Sequence, residues 1–214
     1  MSLEEILNKI REEALMKDDL HEKIQMILRK TMRLSKQAIF LTHKGRISEA
    51  EAFLKEASAN FNKLDEMTRG HPDLFYAGSV ESAFEEYAEA QIFLKLVKDK
   101  KFISPEEIGV PNKSYVLGLA DAIGELRRRT LDLIRKGLIK NAEECLNLME
   151  TIYAGIISCD ELLLFIPGLR RKCDVARRVI EATRGDVTTE VRRTVLNNAL
   201  KELHKILESK INDS

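Results

Sequence analysis

Four acidic residues have types and spacing that could do chemistry. Glu86 and Glu89 are three residues apart, and Asp121 and Glu125 are four residues apart. Within an α-helix, either spacing places both side chains on one face. Carboxylate oxygens are the hard ligands that Mg²⁺ and Mn²⁺ prefer, and such an ion activates water and stabilises a phosphoryl transition state. The two pairs therefore suggest a divalent metal site. The alternative is a pair of solvated helix faces with local ion pairs.

The segments around these acids favour close packing. The first, SVESAFEEYAEAQIFLKLV (79–97), has a C-terminal half that is apolar on all sides, which is typical of a buried helix. Carboxylates beside such a helix are costly to desolvate unless a cation or a donor satisfies them. The second, YVLGLADAIGELRRRTLDLI (115–134), contains Gly118 and Gly124, and each glycine costs about 1 kcal/mol relative to alanine in a free helix. We expect another segment to pack against the backbone at both glycines.

A basic face precedes the acids. Residues 20–47 contain seven basic residues and one acidic residue. Arg29, Arg33 and Lys36 follow the spacing i, i+4, i+7, which places them on one helical face. Such a face would bind phosphates through charge neutralisation and counterion release. The alternative is an ordinary solvated face.

The composition excludes several classes of protein. Lys plus Arg equals Asp plus Glu, so the total charge indicates neither a nucleic-acid nor a membrane partner. Cys145, Cys159 and Cys173 are too far apart for a zinc motif, and buried reduced thiols are expected. The N-terminus lacks a signal-peptide pattern, and no stretch approaches the roughly 18 apolar residues of a membrane span. We expect a cytoplasmic protein with no membrane partner.

The elements that must position these residues are all helical. We predict about seven long helices forming a single all-α domain over residues 1–214. A capping box is expected at Ser48 and Glu51, and helix ends are expected at Gly45, Gly137, Pro167-Gly168 and Gly185. The expected helices cover residues 2–16, 18–43, 48–67, 79–98, 114–136, 140–165, 169–184 and 189–209, with connections at 68–78 and 98–114.

A leucine stripe marks the last predicted helix. Leu196, Leu200, Leu203 and Leu207 share one face at helical spacing. The stripe could belong to the core of the protein or to an interface between subunits, and the sequence favours neither.

Two motifs resemble the translin and translin-associated factor X (TRAX) family. FEEYAEAQIF (84–93) is similar to the "QEYVEA"-type helix of that family, and YVLGLADAIGELRRR (115–129) resembles its "YLLGVADLTGEL"-type helix. The basic helix lies upstream of both, and the resemblance covers nearly the whole chain. It implies an all-helical protein that assembles as a hollow octamer around RNA or single-stranded DNA.

The resemblance also implies a catalytic role for the acids. TRAX-type chains carry two glutamates in the first motif and an aspartate in the second, positions that Glu86, Glu89 and Asp121 match. Glu125 matches a glutamate that both branches carry. The expected activity is a Mg²⁺-dependent endoribonuclease acting on single-stranded RNA, with Mn²⁺ as a substitute ion. All four acids would be the catalytic and metal-binding residues. Arg29, Arg33, Lys36 and Arg128 are expected to hold the phosphate backbone.

The resemblance also implies partners, and three rival functions remain open. A homo-octamer is expected, with a translin-like second subunit as the alternative assembly. The first rival function is an RNA- or single-stranded-DNA-binding shell without turnover. The second is an all-α nucleotide pyrophosphohydrolase, whose first motif Glu86 and Glu89 fit, although Asp121 and Glu125 have the wrong order and spacing for its second. The third is a plain helical scaffold.

Overall fold

The computed structural model describes residues 2–69 and 78–212, and this part of the chain is all-α, as predicted. The predicted connection at 68–78 lies largely outside the described residues. Within them we number eight helices and find no strand. They are α1 (Leu3–His43), α2 (Ile47–Thr68), α3 (Gly78–Asp99), α4 (Pro105–Ile108), α5 (Asn112–Arg135), α6 (Ile139–Ile157), α7 (Asp160–Phe165) and α8 (Leu169–Asn212).

Glycine ends the first long helix where the sequence predicts it. Gly45 has a φ of 74°, a left-handed conformation that side chains with a Cβ rarely adopt. The capping box expected at Ser48 and Glu51 is wrong, because α2 begins at Ile47 and the Glu51 carboxylate instead accepts from Lys98 Nζ at 2.5 Å. Capping boxes form at Ser2 with Glu5 and at Ser104 with Glu107.

Three predicted helix boundaries are wrong. The first two predicted helices form one continuous α1, in which the exposed Asp19 pairs with Lys23 one turn later. The predicted helix 140–165 is interrupted, because α6 ends at Ile157 and the Ser158 hydroxyl donates to the carbonyl of Gly155 at 2.8 Å.

The third boundary, at Gly185, is overridden by a tertiary contact. Arg127 on α5 donates to Thr183 Oγ1 at 2.6 Å and pairs with Asp186 at 3.3 Å. Thr183 precedes Gly185 and Asp186 follows it, so one guanidinium group binds α8 on both sides of the glycine. The helix continues through the glycine, because a hydrogen bond from a charged group contributes about 1.5–3 kcal/mol and can offset the cost of about 1 kcal/mol that glycine carries in a helix.

The chain divides into two compact units, Met1–Ala122 and Ile123–Ser214. In the first unit, α1 packs against α2 and α3, and α2 packs against α3. Its core centres on α3, where Tyr87, Ile92, Phe93 and Leu96 are fully buried. The burial of the last three confirms the prediction that the C-terminal half of this helix is buried on all sides. In the second unit, α6 packs against α8 around residues such as Met149. The expectation of one domain over residues 1–214 stays a prediction.

The leucine stripe of α8 is not part of the core. Leu196, Leu200, Leu203 and Leu207 are 51–59% exposed. The intramolecular alternative is therefore not what the structure shows, and the subunit interface stays a prediction. No helix in residues 2–69 or 78–212 is long and apolar enough to cross a membrane.

The expectation of buried thiols holds for two of the three cysteines. Cys145 and Cys173 are buried, and burial raises the pKa of the Cys173 thiol. Cys159 is exposed, contrary to expectation, because it lies in the break between α6 and α7.

Candidate metal and nucleic-acid site

The two acid-bearing helices of the first unit touch at Gly118. A methyl group there would lie 2.8 Å from both the Glu85 carbonyl oxygen and the Glu89 backbone nitrogen, closer than real contacts allow. It would also lie 2.9 Å from the Ala88 side chain. The close packing expected at Gly118 is thus confirmed, and it sets the backbone of Glu89 beside the helix turn that leads to Asp121.

The same expectation is wrong for Gly124. Apart from the adjoining backbone of its own helix, no described atom lies within 4 Å of the position its side chain would take, and the residue is exposed. A glycine inside a helix therefore indicates close packing only if another helix lies against it, as at Gly118. The sequence alone does not distinguish Gly118 from Gly124.

Lys36 joins the basic face to the acids. Its ammonium nitrogen lies 3.4 Å from Glu86 Oε1, and the Glu86 side chain is only 27% exposed. The pairing links residues that are fifty positions apart in the sequence. Glu89 and Asp121 are also half-buried. In the first unit, the backbone of Glu89 therefore lies at the contact between α3 and α5, and a cation of the basic face pairs with Glu86 on α3.

The fit of a metal ion can be tested on these side chains. In the part of the chain that the structure describes, no group of three or more His, Cys, Asp or Glu side chains is placed to hold a metal ion. Mg²⁺ is usually bound through one or two carboxylates together with waters and substrate phosphates, rather than by a complete protein cage. The all-oxygen donor set fits Mg²⁺ on those terms. The assignment of Glu86, Glu89 and Asp121 as ligands stays a prediction.

The remaining predicted site residues lie in the second unit. Glu125 follows Asp121 by one turn of α5, and its carboxylate is 3.9 Å from Arg128 on the same helix. The Arg128 side chain is mostly exposed. The roles predicted for this pair stay predictions.

The predicted basic face lines a shallow hollow on α1. Arg29, Arg33 and Lys36 surround a volume of about 470 Å³ together with Met32, Gln37 and Phe40. No ion pair joins Arg29 or Arg33 to an acid among the described residues, so both guanidinium groups are available to anions. Sequence reasoning missed Phe40, although it continues the same spacing, four residues beyond Lys36.

A larger hollow lies on another face of α3. Its volume is about 560 Å³, and Tyr87 and Gln91 line it from α3. Its charged groups largely pair with each other, as Lys95 does with Asp99 and Lys98 does with Glu51. It contains none of the four predicted acids and does not add to the site.

Comparisons with known proteins match this architecture. Residues 19–183 match the model of the Translin family. An uncharacterized protein of Methanocaldococcus jannaschii is 30% identical over 189 residues, which cover 87% of this chain and 83% of that protein.

Solved structures of C3PO proteins share the fold of this chain. The crystal structure of AfC3PO and the structure of its complex with duplex RNA are each 31% identical to this chain, with a TM-score of 0.77. Each match covers 88% of this chain and 98% of the other. Apo-NeC3PO shares the fold, with a TM-score of 0.76 at 22% identity over 86% of this chain and 96% of the other.

Proposed function

Because the chain belongs to the translin family, we propose that it is an RNA-binding protein that cleaves RNA as a Mg²⁺-dependent endoribonuclease. The RNA would be enclosed in a hollow homo-oligomer, an octamer in the family pattern, in the cytoplasm. Support for RNA as the ligand comes from AfC3PO, a protein 31% identical to this chain that was solved in complex with duplex RNA.

One observation carries the catalytic part of the proposal. In the first unit, the backbone contact at Gly118 and the ion pair between Lys36 and Glu86 meet on α3. Lys36 of the basic face is therefore adjacent to Glu86, one of the predicted acids. This adjacency supports the proposal, because phosphodiester chemistry uses cations and carboxylates close to each other. A phosphate held on the basic face would lie beside carboxylates that can serve a cation or a water molecule.

In the mechanism, Arg29, Arg33 and Lys36 attract and hold the phosphate backbone by charge, without reading the bases. Glu86, Glu89 and Asp121 would hold Mg²⁺, or Mn²⁺ in its place, and Glu125 would complete or orient this set. When bound, such an ion polarises the phosphodiester and lowers the pKa of water. When no metal ion is bound, Lys36 pairs with the Glu86 carboxylate. A phosphate oxygen that paired with Lys36 instead would leave that carboxylate available to the ion.

The test is cleavage of labelled RNA, single-stranded and duplex, with Mg²⁺ or with EDTA. We expect Asp121→Asn to lower the cleavage rate about 100-fold with binding retained, because a neutral amide is a weaker ligand than a carboxylate for the proposed Mg²⁺ ion. Asp132→Asn is the matched control, because Asp132 lies on the same helix and pairs only with Arg135 among the described residues. It should cleave like the unaltered protein.

A second candidate function is a binding shell without turnover. It is favoured by the lack of a three-ligand acidic group among the described side chains. Intact RNA in every arm, with binding preserved, would select this function and refute the nuclease. Equal cleavage in Mg²⁺ and EDTA would refute the metal dependence alone.

A further inference from the structure

An exposed aromatic ring lies within the basic hollow of α1. Phe40 is 48% exposed, while its neighbours Ile39 and Leu41 are buried. The ring lines the same hollow as Arg33 and Lys36. Lys44, one turn further on, places its ammonium nitrogen 5.5 Å from the ring centroid. Phe40 therefore presents its ring among cations, on the face of α1 that does not pack in the core.

Isolated exposed apolar side chains are common and need no explanation. Phe40 differs because its surroundings combine what single-stranded nucleic acid binding uses, a positive groove for the backbone and an aromatic ring for a base. Arg29 and Arg33 supply charge that no described acid neutralises. Gln37, in the same hollow, supplies an amide able to hydrogen-bond a base edge.

We propose that Phe40 is a stacking platform for an unpaired base of RNA held along the basic face of α1. This inference rests on the proposed function, since it assumes RNA as the ligand, and it names the class of RNA preferred at this face. Charge alone attracts any phosphate backbone. A ring can stack only on a base whose face is free, and in a duplex the neighbouring bases cover it. Phe40 thus favours single-stranded or frayed RNA.

The chain offers a direct reporter, because it contains no tryptophan. Phe40→Trp places a single indole at the proposed platform. We expect its fluorescence to be quenched by single-stranded RNA, and to change little with an abasic strand of equal length or with blunt duplex RNA. Phe102→Trp is the matched control, since Phe102 is 45% exposed and lies between α3 and α4, outside the hollow. Its emission should not respond to the bases.

Affinity gives the second readout. Stacking contributes about 1–3 kcal/mol per base, so Phe40→Ala should weaken binding of single-stranded RNA by about 5- to 150-fold. The abasic strand should bind this variant and the unaltered protein equally. Arg33→Ala, by contrast, should weaken binding of all three ligands alike, because it removes charge only.

The possible failures are distinguishable. If Phe40→Ala binds single-stranded RNA normally and Phe40→Trp is not quenched, while Arg33→Ala loses affinity, the stacking inference is overturned and the proposed function stands. If the unaltered protein binds none of the three ligands, both are overturned. Binding without cleavage overturns the nuclease and leaves the platform supported by its quenching.

Discussion

One tyrosine links α5, the helix of Asp121, to the segment that precedes it. Tyr115, near the start of α5, donates its hydroxyl to the carbonyl of Ile103 at 2.6 Å. The bond ties α5 to the segment that leads into α4. Burial, followed by the negative charges of Glu106 and Glu107, raises the pKa of the Tyr115 phenol.

The direction of this shift sets a pH dependence. The folded protein favours the neutral phenol, so the stabilisation is complete below the pKa of an unfolded tyrosine, about 10. It is lost as the pH rises through the higher pKa of the folded state. Tyr115→Phe should lower the free energy of unfolding at pH 7 by about 0.5–1.5 kcal/mol. It should also flatten the decline in stability above pH 10.

Urea unfolding between pH 7 and 11 measures both effects. The control is Tyr153→Phe on α6, because the Tyr153 hydroxyl makes no hydrogen bond to the described residues. Equal stability losses in the two variants, or an unchanged slope above pH 10 in Tyr115→Phe, would contradict the role assigned to Tyr115.

Residue spacing predicts contacts along one helix better than contacts between helices. The shared face of Arg29, Arg33 and Lys36 follows from helical periodicity and is confirmed by the hollow that they line. The pair between Lys36 and Glu86 could not be predicted, because it depends on how α1 lies against α3. Phe40 was within reach of the periodicity argument, since it extends the same stripe.

The distance between the two acid-bearing helices, α3 and α5, depends on how they pack at Gly118. Gly118→Ala would force a methyl group into a backbone contact of 2.8 Å between α5 and α3. Although alanine favours a helix by about 1 kcal/mol over glycine, the overpacking should dominate. We expect a net loss of about 1–3 kcal/mol in the free energy of unfolding.

Gly124→Ala is the matched control on the same helix. Apart from the adjoining backbone of α5, no described atom lies within 4 Å of the position its side chain would take. The variant should therefore gain about 0.4–1 kcal/mol from helix propensity and a less flexible unfolded chain. Thermal unfolding of both variants tests the opposite signs. A stabilised Gly118→Ala variant would show that the helices separate without cost.

Local signals predicted the helical content well and the boundaries less well. Gly45 adopts a left-handed conformation at the end of α1. Gly185 does not end a helix, because Arg127 binds Thr183 before it and Asp186 after it. The contacts of Arg127 around Gly185 are tertiary, and one sequence does not reveal them.

Assembly is a property of the whole molecule. The exposed stripe from Leu196 to Leu207 is the surface that the proposed oligomer could bury. Native mass spectrometry should give the mass of eight chains. Leu203→Glu should reduce the number of subunits while the circular dichroism of the helices is retained, because a charge in an apolar interface is costly unless it is paired.

Asn198→Glu serves as the control, because it adds the same charge to another face of α8, where the residue is exposed. It should assemble like the unaltered protein. If the oligomer of the Leu203→Glu variant has an unchanged mass, the leucine stripe is not part of the interface between subunits. The sequence predicted the stripe but left its role open, because an amphipathic pattern does not say which surface covers it.

Position 118 can also sort related chains by what they do. In a relative with alanine or a bulkier residue there, the two acid-bearing helices would have to lie farther apart. If the proposed metal site is correct, that separation would move the carboxylates of the two helices away from a shared cation. Glycine at that position, found together with the acids at 86, 89 and 121, would single out relatives worth assaying for turnover. A larger side chain would mark relatives suited to binding alone.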